Sequence, residues 1–250
     1  AINMNLKNFQ WKTDFNFYTN KEKITNLIEK NDMIGSNWFI GAPINVIYDY
    51  EKIGIWQKGE EAEALLYNAK VGDLKLKDQN PQDGTAIDAE HDKIILGQKN
   101  PKWSMFMRNS FELHNFNFAF AIEGKFGHML ESSALGTNVF LNGSRYIPQS
   151  VFGNYWTPDN PTNKYPSVRS EGPITNIQVL GYRKATYLNL QEITIGYTFK
   201  NIPFIKNLNI YARVKNPCYI YKADKDIDPQ APGYDISAYR TYVAGLNINL

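Results

Sequence analysis

The sequence predicts an all-β fold: the C-terminal seven antiparallel strands of a large transmembrane β-barrel with long extracellular loops. Three observations predict it. Apolar residues recur on alternate positions over long stretches, tight hairpins keep the apolar set on one face, and the remaining connections are long and fall at the opposite ends. Alternation with a period of two places one set of side chains on each face of a sheet. It is clearest in the last third of the chain. Ile193, Ile195, Tyr197 and Phe199 enclose Thr194, Gly196 and Thr198. Leu208, Ile210, Ala212 and Val214 alternate with Asn209, Tyr211, Arg213 and Lys215. Tyr242, Ala244, Leu246, Ile248 and Leu250 alternate with Thr241, Val243, Gly245, Asn247 and Asn249. A chain ending inside such a strand is expected to be tied to a neighbour, as in a closed barrel.

The earlier elements follow the same rule. Ile2, Met4 and Leu6 form one set at the start, so the chain is expected to begin inside a strand of a longer protein. Phe9, Trp11, Thr13, Phe15 and Phe17 follow after Lys7-Asn8. A two-residue hairpin makes its flanking residues cross-strand partners, and Leu6 and Phe9 both belong to the apolar set. Asn8 tolerates the positive φ of such a turn. The construction recurs where Leu113 and Phe116 flank His114-Asn115, between the sets Trp103, Met105, Met107, Phe111, Leu113 and Phe116, Phe118, Phe120, Ile122. Strands are therefore predicted at 1–6, 9–19, 103–113, 116–124, 187–199, 208–216 and 240–250. Segments 20–102, 127–185 and 218–237 are the long loops. Short turns on one rim and long loops on the other is the asymmetry of outer-membrane barrels. Glu60 to Lys70 is the one convincing helical segment, and Ile44 to Trp56 reads as a further β segment inside the first loop. Seven strands cannot close a barrel whose strand number is even and at least eight, so earlier strands are expected upstream.

Composition narrows the function classes. The 250 residues carry 16 Tyr, 14 Phe and 5 Trp, with a formal charge of +2. That balance, without a basic run, argues against nucleic-acid binding. No apolar stretch approaches the roughly 20 residues of a membrane helix, which leaves strands as the means of crossing. One cysteine, Cys218, excludes an intramolecular disulfide and a cysteine-rich zinc site. Histidines 91, 114 and 128 are scattered, Glu90-His91-Asp92 lacks a metal-ligand partner, and Glu131-Ser132-Ser133 lacks a nucleophile elbow. No enzyme is read here.

Several stretches together resemble a known family. They are FQWKTDFNFYTNKEKI (9–24), GAPINVIYDYEKIGIW (41–56), VGDLKLKDQN with IILG (71–97) and YWTPDNPTNKYP (155–166). The closing blocks YLNLQEITIGYTF (187–199), NIYARVKNPCYIYK (209–222) and YRTYVAGLNINL (239–250) complete the set. In this order they resemble the SusC-like TonB-dependent outer-membrane transporters of Bacteroidota. The resemblance implies a barrel of about 22 strands, plugged by an N-terminal domain and coupled to TonB through that absent region. It implies a SusD-like surface lipoprotein as lid and import of oligosaccharides or peptides across the cell outer membrane. Outer-membrane lipid, lipopolysaccharide and the remaining strands and plug are its implied partners. This chain departs from the family in ending on Leu250 and not on an aromatic residue.

Two groups of residues are candidate sites. Asp78, Asn80, Asp83, Asp88 and Asp92 place oxygen ligands around Gly84, the pattern of a calcium loop. Spacing and the missing bidentate glutamate also fit an ordinary Asp/Asn/Gly turn. Tyr155, Trp156 and Tyr165 lie in a Pro/Asn/Asp-rich loop, where exposed rings stack on sugars or peptide side chains or pack the loops together. Trp11, Trp103 and Tyr197 fit an interfacial girdle, and Lys12, Asp14, Arg108, Glu112, Arg213 and Lys215 the lumen. The rival readings are a soluble or surface-attached β-sandwich that binds glycans, and a β-rich hydrolase.

Overall fold

The computed structural model describes the chain except residues 29, 83, 85, 86, 137–149, 169–173, 232–238 and 250, and the side chain of residue 201. Seven strands form one antiparallel sheet in which each pairs with the next in sequence. They are β1 (Ile2–Leu6), β2 (Phe9–Thr19), β3 (Trp103–Leu113), β4 (Phe116–Phe126), β5 (Tyr187–Ile202), β6 (Ile205–Lys222) and β7 (Thr241–Asn249). Leu6 pairs with Phe9 and Leu113 with Phe116, as the hairpin rule requires. The third turn is also two residues long, Pro203-Phe204, because Ile202 pairs with Ile205. It is tighter than the expected span of 200–207, since β5 and β6 run on past their alternating cores. Positive φ falls on His114 (56°) and Phe204 (67°), and Asn8 does not adopt it.

Register within the sheet is corrected where the alternation would otherwise fail. Leu190 pairs with Ile122 but Glu192 with Ala121, so Gln191 is an extra residue in β5. On the other side Leu190 faces Cys218 and Glu192 faces Lys215, leaving Asn216 (φ 50°) and Pro217 between them in β6. A bulge accommodates both the positive φ and a proline that cannot donate to the ladder. Its effect is to keep Leu188 and Leu190 on the same face as Ile193 and Ile195. A slip of one residue would have inverted them.

Exposure is the reverse of a water-soluble sheet. On the apolar face Phe15 is 57% exposed, Ile195 54%, Leu246 62% and Ile248 53%. On the polar face Ala121 is 3% exposed and Thr194 6%, as in a sheet rolled with that face inward. A sandwich would bury the apolar set. A polar pair sits in the apolar register: Asn109, between Met107 and Phe111, and Thr13 opposite it. Asn109 Oδ1 accepts hydrogen bonds from Trp11 Nε1 at 2.9 Å and Thr13 Oγ1 at 2.6 Å, and Asn109 is 5% exposed. The alternation pattern gave no account of it. The neighbouring indole and hydroxyl remove its polar oxygen from the surface.

Aromatic residues mark both margins of the apolar band. At the loop end Trp103 stacks on Phe126 with ring centroids 3.7 Å apart and touches Phe17 at 5.8 Å. At the turn end Trp11 meets Phe111 at 5.8 Å, and Tyr197 meets Phe116 at 4.6 Å and Phe199 at 4.7 Å. The run from Trp103 to Phe111 is roughly 27 Å long at about 3.4 Å per residue. Tilted by about 40°, it projects to roughly 20 Å, near the height of an outer-membrane apolar band of about 25 Å.

The long connections fold on one another. Val46–Tyr50 pairs with Lys93–Gln98, Lys52–Ile55 with Leu74–Leu76, and Met129–Glu131 with Tyr182–Lys184. The predicted helix is shorter than the segment 60–70, running from Glu61 to Leu66, because Tyr67 caps it by donating to Ala64 and Leu65. All three loops contribute to one hydrophobic core, with Ile55 from the first, Val151 and Leu180 from the second and Ile227 from the third.

The two faces of β7 give a direct test. In a bilayer, Leu246→Arg in the complete protein is expected to cost about 2–4 kcal/mol, and Asn247→Arg much less. Reversible folding into lipid vesicles measures both. Equal penalties would place water, or protein, on both faces.

Candidate functional site

Two surfaces carry the polar chemistry: the inner face of the sheet and the loop assembly above it. On the inner face, pairing brings β3, β5 and β6 side chains into one network. Arg108 Nη1 lies 3.2 Å from Glu192 Oε1, and Arg213 Nη1 lies 3.6 Å from Glu192 Oε2. Arg213 Nε donates to Thr194 Oγ1 at 3.1 Å, and Thr194 in turn donates to Glu192 at 3.2 Å. Lower down, Asn209 Nδ2 bridges Asn117 Oδ1 at 3.1 Å and Thr198 Oγ1 at 3.0 Å. Two glycines leave room for side chains beside this ladder. A Cβ at Gly196 would lie 2.6 Å from Asn117 Oδ1, and one at Gly245 equally close to Tyr211. Arg108 and Arg213 thus face inward as their alternation implied. Glu192, which joins them, shares the parity of Thr194 and was legible in the same pattern.

In the loop assembly, carboxylates pin one loop to another. Arg183 donates from Nε to Asp224 Oδ2 at 2.5 Å and from Nη2 to Asp226 Oδ2 at 3.3 Å. Asp226 also receives Lys164 Nζ at 3.0 Å and Tyr165 Oη at 2.8 Å. Burial alone would raise the Asp226 carboxyl, but hydrogen bonds from Lys164 and Tyr165 and the nearby cations hold it below the usual value. Burial pushes the Tyr165 phenol up to about 12. Asp49, 4% exposed, accepts from Tyr182 Oη at 2.7 Å and Gln178 at 3.3 Å and pairs with Lys93 at 3.2 Å. Its desolvation is outweighed by these donors and the Tyr50 amide, so the carboxyl also titrates low. Lys52 is lowered to about 8 by burial and by the charge of Arg183, while its ammonium donates to the Asn163 carbonyl at 2.6 Å. None of Asp49, Arg183, Asp224 or Asp226 had a sequence signature, because the loops carry no periodicity that reports burial.

The aromatic candidates separate by burial. Tyr165 is 0% exposed and Trp156 6%, and both belong to the loop core. Trp156 packs on the Gly72 backbone, where a Cβ would approach within 2.7 Å of the indole at a φ of 85°. Its Nε1 donates to Gln57 Oε1 at 2.9 Å. Both rings therefore pack the loops together, one of the two arrangements the sequence allowed for them. Tyr155 is partly buried against the same core.

Loop 78–92 is held by its own carboxylates. Asp78 accepts from the Asn80 amide at 2.9 Å and Tyr67 Oη at 3.3 Å. Asp88 caps the amides of Glu90 and His91 at 2.8 and 2.9 Å and contacts the His91 ring at 3.1 Å. Asp92, 2% exposed, accepts from the amides of Gln79 at 2.7 Å and Asp88 at 2.8 Å. Both oxygens of each carboxylate therefore face protein donors, an arrangement that closes the loop by Asx-type turns. Asp83 lies outside the described residues. Among the described residues no group of three or more His, Cys, Asp or Glu is placed to hold a metal ion.

The rolled sheet with its apolar face outward and one polar network inward defines a segment of a large antiparallel barrel, and comparison with known proteins agrees. The chain is 24% identical over 283 residues to TonB-dependent receptor P26 of Formosa agariphila, covering 99% of this chain and 28% of that protein. It is 23% identical over 266 residues to the TonB-dependent receptor SusC of Bacteroides thetaiotaomicron, covering 97% of this chain and 24% of SusC. Among solved structures, the RagAB peptide importer in its open-open state superposes with a TM-score of 0.73 at 17% identity, over 100% of this chain and 28% of the other. The RagAB peptide transporter superposes with a TM-score of 0.74 at 18% identity, over 99% and 28%. No protein-family model matches. The chain spans about a quarter of the length of these relatives. It resembles SusC-type TonB-dependent receptors over nearly its whole length, as the motifs implied, and its seven strands match a fragment of a TonB-dependent barrel.

The charge pins predict a pH window. Asp226 titrates lower in the folded protein than the unfolded value of about 3.9. Its contribution is therefore complete above that value and lost as pH falls through the folded one. Amide exchange around residues 224–228, corrected for intrinsic rate, should stay constant from pH 7 to 5 and rise only below about 4. Arg183→Gln should loosen the same segment by about 1–3 kcal/mol at pH 7. An unchanged exchange rate in that variant would show that packing around Ile227 alone holds the loop.

Proposed function

We propose that the protein imports an oligosaccharide or peptide nutrient across the cell outer membrane, driven through TonB and gated by a SusD-like surface lipoprotein. In this reading residues 1–250 are the C-terminal part of one transmembrane barrel domain. Further strands and a plug complete it, pairing with the outer edges of β1 and β7. The observation that carries the reading is the inverted exposure of the seven-stranded sheet. Side chains such as Phe15, Ile195, Leu246 and Ile248 face outward while Thr194, Glu192 and Arg213 face in. That arrangement is stable only where the outer solvent is lipid and the interior is polar. Kinship with SusC and likeness to the RagAB peptide importer support import as the task. The proposed role is transport and not catalysis.

Sorting of the connections supports an orientation. The turns at Lys7-Asn8, His114-Asn115 and Pro203-Phe204 share one rim, and the folded loops occupy the other. With short turns periplasmic, the loop assembly faces the exterior, where a lid lipoprotein would seat. Charged residues of the inner face, Arg108, Glu192 and Arg213, are paired with one another. They would line the space shared with the plug and the passing solute.

Cysteine labelling in intact cells tests the orientation. A membrane-impermeant maleimide should reach Asp159→Cys in the loop assembly and should reach Lys7→Cys only after the envelope is opened. The same cells should lose uptake of the nutrient when TonB is deleted. Labelling of both positions from outside would overturn the orientation, and uptake independent of TonB would overturn the coupling.

A further inference from the structure

At the loop-side rim, the ends of β3, β4, β5 and β6 meet the first loop around a notch of about 450 Å³. Short backbone bonds fix its walls. Lys102 N donates to Phe126 O at 2.9 Å, Ala185 N to His128 O at 3.0 Å and Ala223 N to Thr186 O at 2.9 Å. Gly127, at a φ of 75°, closes the corner, and its amide donates to Thr186 Oγ1 at 3.0 Å. A Cβ at Gly127 would lie 2.9 Å from Lys102 Cδ, so the lysine stem is laid along this glycine.

The notch is basic and has an apolar lip. Lys102 and Lys184 line it, both exposed, and among the described residues neither makes an ion pair. The neighbouring carboxylates are engaged elsewhere: Glu131 with Lys99 at 3.2 Å and Glu123 with Lys125 at 3.8 Å. His128 also lines it, and its Nδ1 is buried without a hydrogen-bond partner. The outer lip is formed by Ile95, 42% exposed, and Tyr221, 53% exposed. Trp103 and Phe126, the stacked aromatic pair of the loop-end margin, directly adjoin it in sequence through Lys102 and Gly127.

We propose that this notch binds the phosphorylated headgroup of an outer-leaflet glycolipid, with Lys102 and Lys184 on the phosphate, His128 as a polar partner and Ile95 and Tyr221 against the first acyl segment. The inference rests on the membrane reading above and adds a specific lipid site to it. Cations just beyond an aromatic girdle lie at headgroup depth, where a lysine stem stays in apolar surroundings while its ammonium reaches a phosphate. Continuity of the lip with the apolar face favours a lipid over a free anion. Inorganic phosphate would satisfy the lysines and leave the lip uncovered.

The test is native mass spectrometry of the complete transporter, purified in mild detergent, after addition of bis-phosphorylated lipid A. Lys102→Gln/Lys184→Gln should retain roughly 10- to 30-fold less lipid A than the parent, about fivefold per lysine removed. Lys102→Arg/Lys184→Arg should retain it at the parental level. Heat-modifiable migration of all three proteins reports barrel assembly separately, so failure of the membrane reading is distinguished from failure of this site. Equal retention by the parent and the glutamine variant overturns the proposal. Displacement of lipid A by millimolar inorganic phosphate also overturns it, making the notch a free-anion site.

Discussion

Everything in this structure depends on the direction in which the pleat points its apolar side chains. In a water-soluble sheet the greasy face is the buried one, and its burial drives folding. Here the seven strands leave Phe15, Phe17, Ile195 and Leu246 outward and enclose Thr194 and Ala121. A polar interior can be tolerated because its groups satisfy one another. Glu192 between Arg108 and Arg213, and Asn209 between Asn117 and Thr198, are each held by one partner on the adjacent strand and one two strands away. The bulge at Gln191, matched by Asn216 and Pro217, keeps that inversion coherent along the two longest strands.

The loop assembly obeys the opposite rule, with apolar residues inside. Trp156, Tyr165, Leu180 and Ile227 form a core drawn from segments far apart in sequence. Three aspartates, Asp49, Asp224 and Asp226, fasten the loops through Tyr182, Arg183 and Lys164. Ordinary hydrophobic burial therefore holds a unit that stands on an inverted sheet. The two rules meet at the loop-side rim, where Trp103 and Phe126 end the apolar band and the basic notch begins.

This division explains what could be read from the sequence. The strands were legible because a period of two survives wherever one face meets a uniform apolar medium. Leu113–Phe116 set one register along its whole length, and Leu6–Phe9 set the other as far as Met4, beyond which a bulge puts Ile2 opposite Lys12. What the alternation could not show was local compensation: Asn109 in the apolar register under Trp11, or the extra residue at Gln191. In the loops no period exists, so a ring such as Tyr165 looks the same in sequence whether it is 0% exposed or waiting for a sugar. The charged residues of 78–92 likewise fit either an ion loop or an ordinary turn in sequence, and the oxygens of Asp88 and Asp92 cap the backbone of their own loop.

Spin-label accessibility along β7 tests the inverted pleat most directly. Nitroxides placed singly at residues 241–249 of the complete protein, reconstituted in bilayers, report collision with molecular oxygen, which concentrates in lipid. Maxima at Tyr242, Ala244, Leu246 and Ile248, with minima at Val243, Gly245 and Asn247, are the predicted outcome. A flat profile, or maxima at the odd-numbered positions, would contradict the account.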